Sequence, residues 1–290
     1  MDISVSTYSF EKLMAAGEYT QRDCIRKAAE MGFDGVEIVE LRPEEGMGRE
    51  EYARLLRKTA DEVNLPVTSY TFGADMLTGS GGDLEVEVAR VGGQLEIAAI
   101  LGAPRVRHDA TSGWGTGENA RKTFGEALPR VAEGCRRIAA LGEKLGIRTT
   151  IENHGFFCQE SRRVEALFQA VDHPNFGLLA DMGNFLCADE NPAEAVGRLA
   201  PFVIYAHAKD FHIKSGMEPN PGEGFFRSRA GSWLRGAVIG HGVVPVRQCL
   251  TILKAAGYDG PVAIEFEGLE HPLDGIRIGL DNLRRYAAEA

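Results

Sequence analysis

Apolar and polar positions along this chain alternate between two periods. Stretches with apolar residues three and four apart, as on a helix with one buried face, end at a Gly or polar turn. Short β-rich runs follow and close on polar residues. Ala28-Ala29-Glu30-Met31-Gly32-Phe33-Asp34-Gly35 leads into Val36-Glu37-Ile38-Val39, and Ile97 to Pro104 leads into Arg105-Val106-Arg107-His108-Asp109. Ala140 to Gly146 precedes Ile147 to Glu152, and Leu253 to Gly260 precedes Pro261 to Glu267. In each, the Gly stands where a helix needs a left-handed residue to stop, and Asn64 takes that place before Leu65 to Tyr70. Asp172-His173-Pro174-Asn175 turns into Phe176 to Asp181, and Leu199-Ala200-Pro201 turns into Phe202 to His207. Thr20 is placed to cap a helix, with Asp23 at its third position and Cys24, Ala28 and Met31 along one stripe.

With an opening strand over Ile3 to Ser9, the count reaches about eight strands separated by helices, the number at which a parallel sheet closes on itself. The expected architecture is a single α/β domain over 1–290, a (β/α)₈ TIM barrel. The competing open, doubly wound sheet carries in its cofactor-binding form a Gly-rich loop directly after its first strand, and here that strand runs into Thr7-Tyr8-Ser9-Phe10. One stretch interrupts the rhythm: Phe211 to Gly240, rich in Gly, Pro and Arg, is long for a βα connection and is expected to be an extended loop after the seventh strand, a lid or subunit contact.

Composition narrows the function. The chain is 44% hydrophobic and 26% charged, and no apolar run approaches the ~20 residues of a membrane span, so no membrane partner is expected. A formal charge of −10 disfavours a phosphate backbone, so nucleic acid is not an expected partner. The first residues lack a secretory signal and the five cysteines are scattered without a CxxC pair, which points to free thiols and a cytoplasmic location.

Residues at the carboxyl ends of barrel strands share one mouth. The last four strands end with Glu152 in Ile151-Glu152-Asn153, Asp181 in Ala180-Asp181-Met182, His207 in Tyr205-Ala206-His207 and Glu265 in Ile264-Glu265-Phe266. Three carboxylates crowded there repel unless a cation compensates them, and an imidazole completes a mixed N/O ligand set. Such a set suits Mn²⁺, Mg²⁺, Co²⁺ or Zn²⁺.

These residues resemble the xylose-isomerase-like barrels, which include sugar isomerases and 3-epimerases, inosose dehydratase, dehydroshikimate dehydratase and, more distantly, endonuclease IV. The resemblance spans most of the chain. It is carried by Ile151-Glu152-Asn153, by Ala180-Asp181-Met182-Gly183-Asn184, by His207-Ala208-Lys209-Asp210 and by Gly257 to Glu267. It implies one metal held by Glu152, Asp181, His207 and Glu265, Glu152 and Glu265 as catalytic acid and base on opposite sides of a sugar or polyol, and a homo-oligomer. Two departures separate this chain from ketohexose 3-epimerases. Asn184 stands where they place a His three residues after the strand-six Asp, and Phe157 and Cys158 stand where they carry a further Glu. The scarcity of histidine, seven in all, sets the endonuclease branch aside.

Further candidates follow from position. His108 ends the fourth strand before a Gly-rich loop containing Trp114, which can cover a sugar face. His154, Asn184, Lys209 and His212 lie at or just beyond the mouth as hydroxyl or carboxylate partners. Glu37 reads as an internal ion-pair partner rather than a functional group. Lys214, Arg227 and Arg229 can select an anion if the long loop folds over the mouth, and His241 follows that loop. The reading is a metal-dependent isomerase or epimerase acting next to a carbonyl through an enediolate. A lyase on a keto-polyol is the first alternative and a non-catalytic sugar-binding barrel the second.

Overall fold

In the computed structural model, which describes residues 1–115 and 122–290, eight parallel strands close into a barrel. They are β1 (Ile3–Ser6), β2 (Gly35–Val39), β3 (Val67–Phe72), β4 (Arg105–His108), β5 (Arg148–Glu152), β6 (Phe176–Asp181), β7 (Val203–Ala208) and β11 (Val262–Ile264). The expected barrel is present, and β1 closes it by pairing with both β2 and β11. Helices α1 (Glu11–Ala15), α2 (Gln21–Glu30), α3 (Arg49–Glu62), α4 (Leu84–Leu101), α5 (Phe124–Lys144), α6 (Ser161–Val171), α7 (Asn184–Cys187), α8 (Pro192–Leu199), α9 (Val246–Ala255) and α10 (Pro272–Glu289) connect the strands. No helix of the described residues is long and apolar enough to cross a membrane.

The punctuation anticipated from the repeats is realised in the backbone. Gly102 ends α4 at φ +71° and Asn64 follows α3 at φ +53°, the left-handed conformation that lets the chain turn from helix to strand. The first strand is shorter than expected, because Thr7 to Phe10 wind into a 3₁₀ turn capped by the Ser6 side chain. That turn carries Tyr8 to the rim. The last strand is shorter too, although the Glu265 amide still donates to Ala208 O (3.1 Å) and so extends the ladder to Glu265.

Side chains two residues apart on a strand share a face. Leu179, Tyr205 and Ala263, each two residues before a candidate ligand, form their own buried cluster, a layer beneath Asp181, His207 and Glu265. The other strand faces pack against the helices in one large core.

The segment 211–240 is where expectation and structure differ most. Part of it, with Asp210, forms an antiparallel sheet: β8 (Asp210–Lys214), β9 (Phe226–Arg227) and β10 (Trp233–Ala237), in the order β8-β10-β9. Phe211 and Leu234 bury against Cys187, giving this sheet a small core. Asp210 ties its root: Oδ1 accepts from the amides of Phe211 (2.8 Å) and Val244 (3.0 Å), and Oδ2 from those of Gly240 and Gly242 (both 2.9 Å).

Helix α2 begins with the capping box read from the sequence. Thr20 Oγ1 accepts from the Asp23 amide (3.2 Å), and the Asp23 carboxylate accepts from the Thr20 amide (2.9 Å). Thr20→Ala is expected to lower stability by about 1 kcal/mol, read as a shift of the urea midpoint at unchanged slope.

Candidate metal centre

Glu152, Asp181, His207 and Glu265 converge at the mouth, with one ligand atom from each lying within 4.8 Å of the others. His207 Nδ1 is 3.7 Å from Asp181 Oδ2, 3.7 Å from Glu265 Oε2 and 3.9 Å from Glu152 Oε1. Atoms bound to one ion at ~2.1 Å stand roughly 3–4 Å apart, so this spacing fits a single cation. The hydrogen-bonding state agrees. Asp181 Oδ2 and His207 Nδ1 are buried without a hydrogen-bond partner, a costly state unless a ligand satisfies them. Three carboxylates and one imidazole form a hard, mixed donor set suited to Mg²⁺, Mn²⁺, Co²⁺ or Zn²⁺.

Each ligand is oriented by a neighbour. Asp181 Oδ1 accepts from the amides of Gly183 and Asn184 (both 2.8 Å), which leaves Oδ2 for the cluster. Asn153 clamps the Asp181 backbone by accepting from its amide (2.8 Å) and donating to its carbonyl (2.9 Å). Asn184 Nδ2 donates to Glu152 Oε1 (2.9 Å), while Arg107 pairs with Glu152 Oε2 and, at 2.9 Å, with Asp109. Behind His207, Nε2 meets Glu37 Oε2 at 3.0 Å, and both side chains are buried. The Glu37 carboxylate accepts the Nε2 proton, so once the ring is neutral its Nδ1 lone pair would face the other candidate ligands, as in a carboxylate–imidazole–metal arrangement.

The electrostatics are those of crowded buried charge. Burial lowers the affinity of His207 for a proton, but Glu37, Asp181 and Glu265 outweigh it and push the ring well above the usual imidazole range. Metal binding therefore has to displace a proton from this ring. Burial also opposes charge on Lys209, yet Asp181, Glu265 and Glu267 hold its ammonium well above the usual range. Burial raises Glu152, with Glu265 reinforcing the rise against Arg107, whereas Lys209 and His207 overcome burial at Glu265 and hold it well below the usual carboxylate range.

Other residues singled out from the sequence fall in different places. Lys209 belongs to the cluster: Nζ contacts Glu265, lies 3.4 Å from Asp181 Oδ2 and donates to Glu267 Oε1 (3.1 Å) and Asn184 Oδ1 (3.3 Å). Asn184 bridges Glu152 and Lys209, so both residues support ligands. The His154 side chain is half exposed and paired through Nδ1 with Asp109 Oδ1 (2.8 Å). Burial lowers its pKa, but the Asp109 hydrogen bond together with the Glu152 and Asp109 charges outweighs this and leaves it raised.

His108 lies outside the group. It is fully buried, stacked on Phe72 at 6.3 Å between ring centroids, and burial pulls its pKa down to about 4. Trp114 is half-buried, with Nε1 donating to Thr123 O (3.0 Å) and Lys122 over its ring; the loop expected around it continues into residues outside the described ones. His212 faces a surface groove with Phe225 and Arg235, and His241 is exposed. Lys214, Arg227 and Arg229 are engaged by Glu218, by Gly231 O and the Trp233 ring, and by Glu160 and Phe156 O respectively.

Glu37, Arg107 and Asp109 were not singled out as site residues. The sequence predicts Glu37 to be an internal ion-pair partner; its partner is the candidate metal ligand His207. A buried acidic residue in the middle of β2, paired with Ser6 of β1, is the available signal. Glu37→Ala is expected to weaken Mn²⁺ affinity ~10–100-fold, measured by competition with a chelator, with Glu37→Gln between it and wild type. Unchanged affinity in Glu37→Ala would show that His207 needs no orienting carboxylate.

Comparison with known proteins places this architecture. The profile of the xylose isomerase-like TIM barrel family matches residues 25–286. An uncharacterized protein of Escherichia coli, YihM, is 29% identical over 149 residues, 51% of this chain and 41% of its own length, so this match spans less than half of that relative. An inosose dehydratase of Geobacillus thermodenitrificans is 22% identical over 261 residues, covering 87% of this chain and 83% of that protein. Among solved structures, D-psicose 3-epimerase with D-tagatose from Clostridium cellulolyticum superposes with a TM-score of 0.75 at 17% identity, over 99% of each chain. The chain belongs to the xylose isomerase-like TIM barrels.

Proposed function

We propose that this protein is a divalent-metal-dependent enzyme that moves a proton next to the carbonyl of a keto-sugar or related polyol, an isomerase or epimerase working through an enediolate. The observation that carries this reading is the convergence of Glu152, Asp181, His207 and Glu265, with Asp181 Oδ2 and His207 Nδ1 unsatisfied, at the end of the barrel where this fold performs chemistry. The family's epimerases and dehydratases share proton removal beside a carbonyl. A bound divalent ion supplies Lewis acidity, polarising the carbonyl and stabilising the developing negative charge.

The protein's own groups divide the remaining work. The Glu265 side chain is 12% exposed, against 4% for Glu152, so it is the more accessible of the two glutamates to a substrate C–H. Arg107 and Asn184 fix Glu152 while Lys209 fixes Glu265, so the carboxylates face the substrate from set positions. Glu265 removes the proton and Glu152 returns one to the opposite face.

A second reading, a lyase, is favoured by one feature. His154 stands half exposed with Nδ1 held by Asp109 and with no hydrogen bond at Nε2 among the described residues, a group placed to protonate a departing β-hydroxyl.

Glu265→Gln is expected to abolish exchange of substrate hydrogen with deuterated solvent while elemental analysis still finds metal; retained exchange would remove Glu265 from the role of base. A panel of keto-sugars, inososes and dehydroshikimate separates the two readings, since a lyase product gains conjugated ultraviolet absorbance and an epimer does not. For a lyase, His154→Ala should lose dehydration at least ~100-fold while proton exchange persists; equal loss of both would assign His154 to the first step.

A further inference from the structure

Beside the candidate metal cluster lies a cavity of about 250 Å³. Phe226, Phe266 and Pro272 give it apolar surface, and Tyr8, Lys12 and Glu267 give it polar groups. Its walls are tightly seated. Gly236 of β10 runs so close to Glu267 that an added Cβ would lie 2.4 Å from the Glu267 carbonyl, and one on Gly224 would meet the Leu269 side chain at 2.9 Å. From the other side, Lys12 Nζ donates to Gly268 O (2.6 Å). The antiparallel excursion and the turn after β11 therefore form a fixed wall of the cavity.

One wall of the cavity also touches the cluster through side chains. Glu267, which lines it, accepts from Lys209 through Oε1 (3.1 Å), and the same ammonium touches Glu265 and lies 3.4 Å from Asp181. Tyr8 lies within the field of these groups: burial first, then the Glu267 charge, raises its phenol pKa. Glu267 Oε2 has no hydrogen-bond partner among the described residues, and its side chain is 26% exposed. A free carboxylate oxygen and a phenol between aromatic and proline surfaces match a ring with C–H faces and hydroxyl edges. An anion matches them less well. A phosphate would confront the Glu11 and Glu267 carboxylates in the lining against the single ammonium of Lys12.

We propose that the substrate carries a second, uncharged ring joined glycosidically to the reacting unit, and that this cavity receives it. The proposal rests on the reading above only for the identity of the reacting unit as a keto-sugar. Phe226 and Glu267 are then specificity residues for a glycoside over a free monosaccharide or a sugar phosphate.

Calorimetry on the Mn²⁺-loaded protein tests this with methyl β-D-glucoside, phenyl β-D-glucoside, cellobiose and glucose 6-phosphate as probes. Phenyl glucoside and cellobiose should bind at least about tenfold more tightly than methyl glucoside, and Phe226→Ala should remove that difference while leaving methyl glucoside unchanged. Equal affinity for one and two rings, tightest binding of the phosphate, or no binding of any probe overturns the proposal. If Phe226→Ala disrupts the excursion, seen as a lost thermal transition, the wild-type ratio alone decides. Absence of hydrogen exchange in every keto-sugar, with the two-ring preference intact, would remove the proposed reaction and leave the subsite. Exchange without any two-ring preference would remove the subsite and leave the reaction.

Discussion

The constraint on which the site depends is the confinement of like charge. Glu37, Asp109, Glu152, Asp181, Glu265 and Glu267 gather at one end of a closed barrel against Arg107 and Lys209, and several of them have little or no contact with water. Carboxylates at this density are tolerated only where every charge has a fixed partner. Arg107 spans Asp109 and Glu152, Lys209 spans Asp181, Glu265 and Glu267, and Glu37 is committed to His207. Without a hydrogen bond remain His207 Nδ1 and Asp181 Oδ2, the latter approached by the Lys209 ammonium only to 3.4 Å, and a cation fits between them.

The same partners serve geometry. A ligand side chain at a strand end has rotamer freedom that would blur a coordination sphere, and each is pinned from outside it. Asp181 caps the turn into α7 with one oxygen, Glu152 is held between Asn184 and Arg107, and the His207 ring is set by Glu37. With the side chains preorganised in this way, a metal would enter by displacing a proton from His207 rather than by rearranging the backbone.

The excursion after β7 extends the site outward. A βα connection that folds as its own antiparallel sheet, with a small core under Phe211 and Leu234 and its root tied to Asp210, can present a rigid wall beside the mouth. Its seating against the turn after β11 turns a shallow rim into a cavity next to Glu267, so the element that breaks the repeat also shapes the space around the ligands.

The barrel, its strand ends and the meeting of Glu152, Asp181, His207 and Glu265 there could be read from the chain alone. Each repeat encodes its own helix, left-handed stop and strand by local periodicity, and a strand end in a closed parallel barrel has only one mouth to face. The 211–240 segment shows where that reading weakens. The alternation in Phe211-His212-Ile213 and Trp233-Leu234-Arg235 is the sheet's signal, hidden among Gly and Pro. Tertiary structure alone decided that Glu37, some 170 positions from His207, is its partner, that Arg107 faces Glu152 while the adjacent His108 turns into the wall, and that Lys209 lies among the carboxylates. Pattern assigns a residue to a strand and a level. Which side chain it then meets across the barrel depends on stagger and closure, and no local sequence signal carries those.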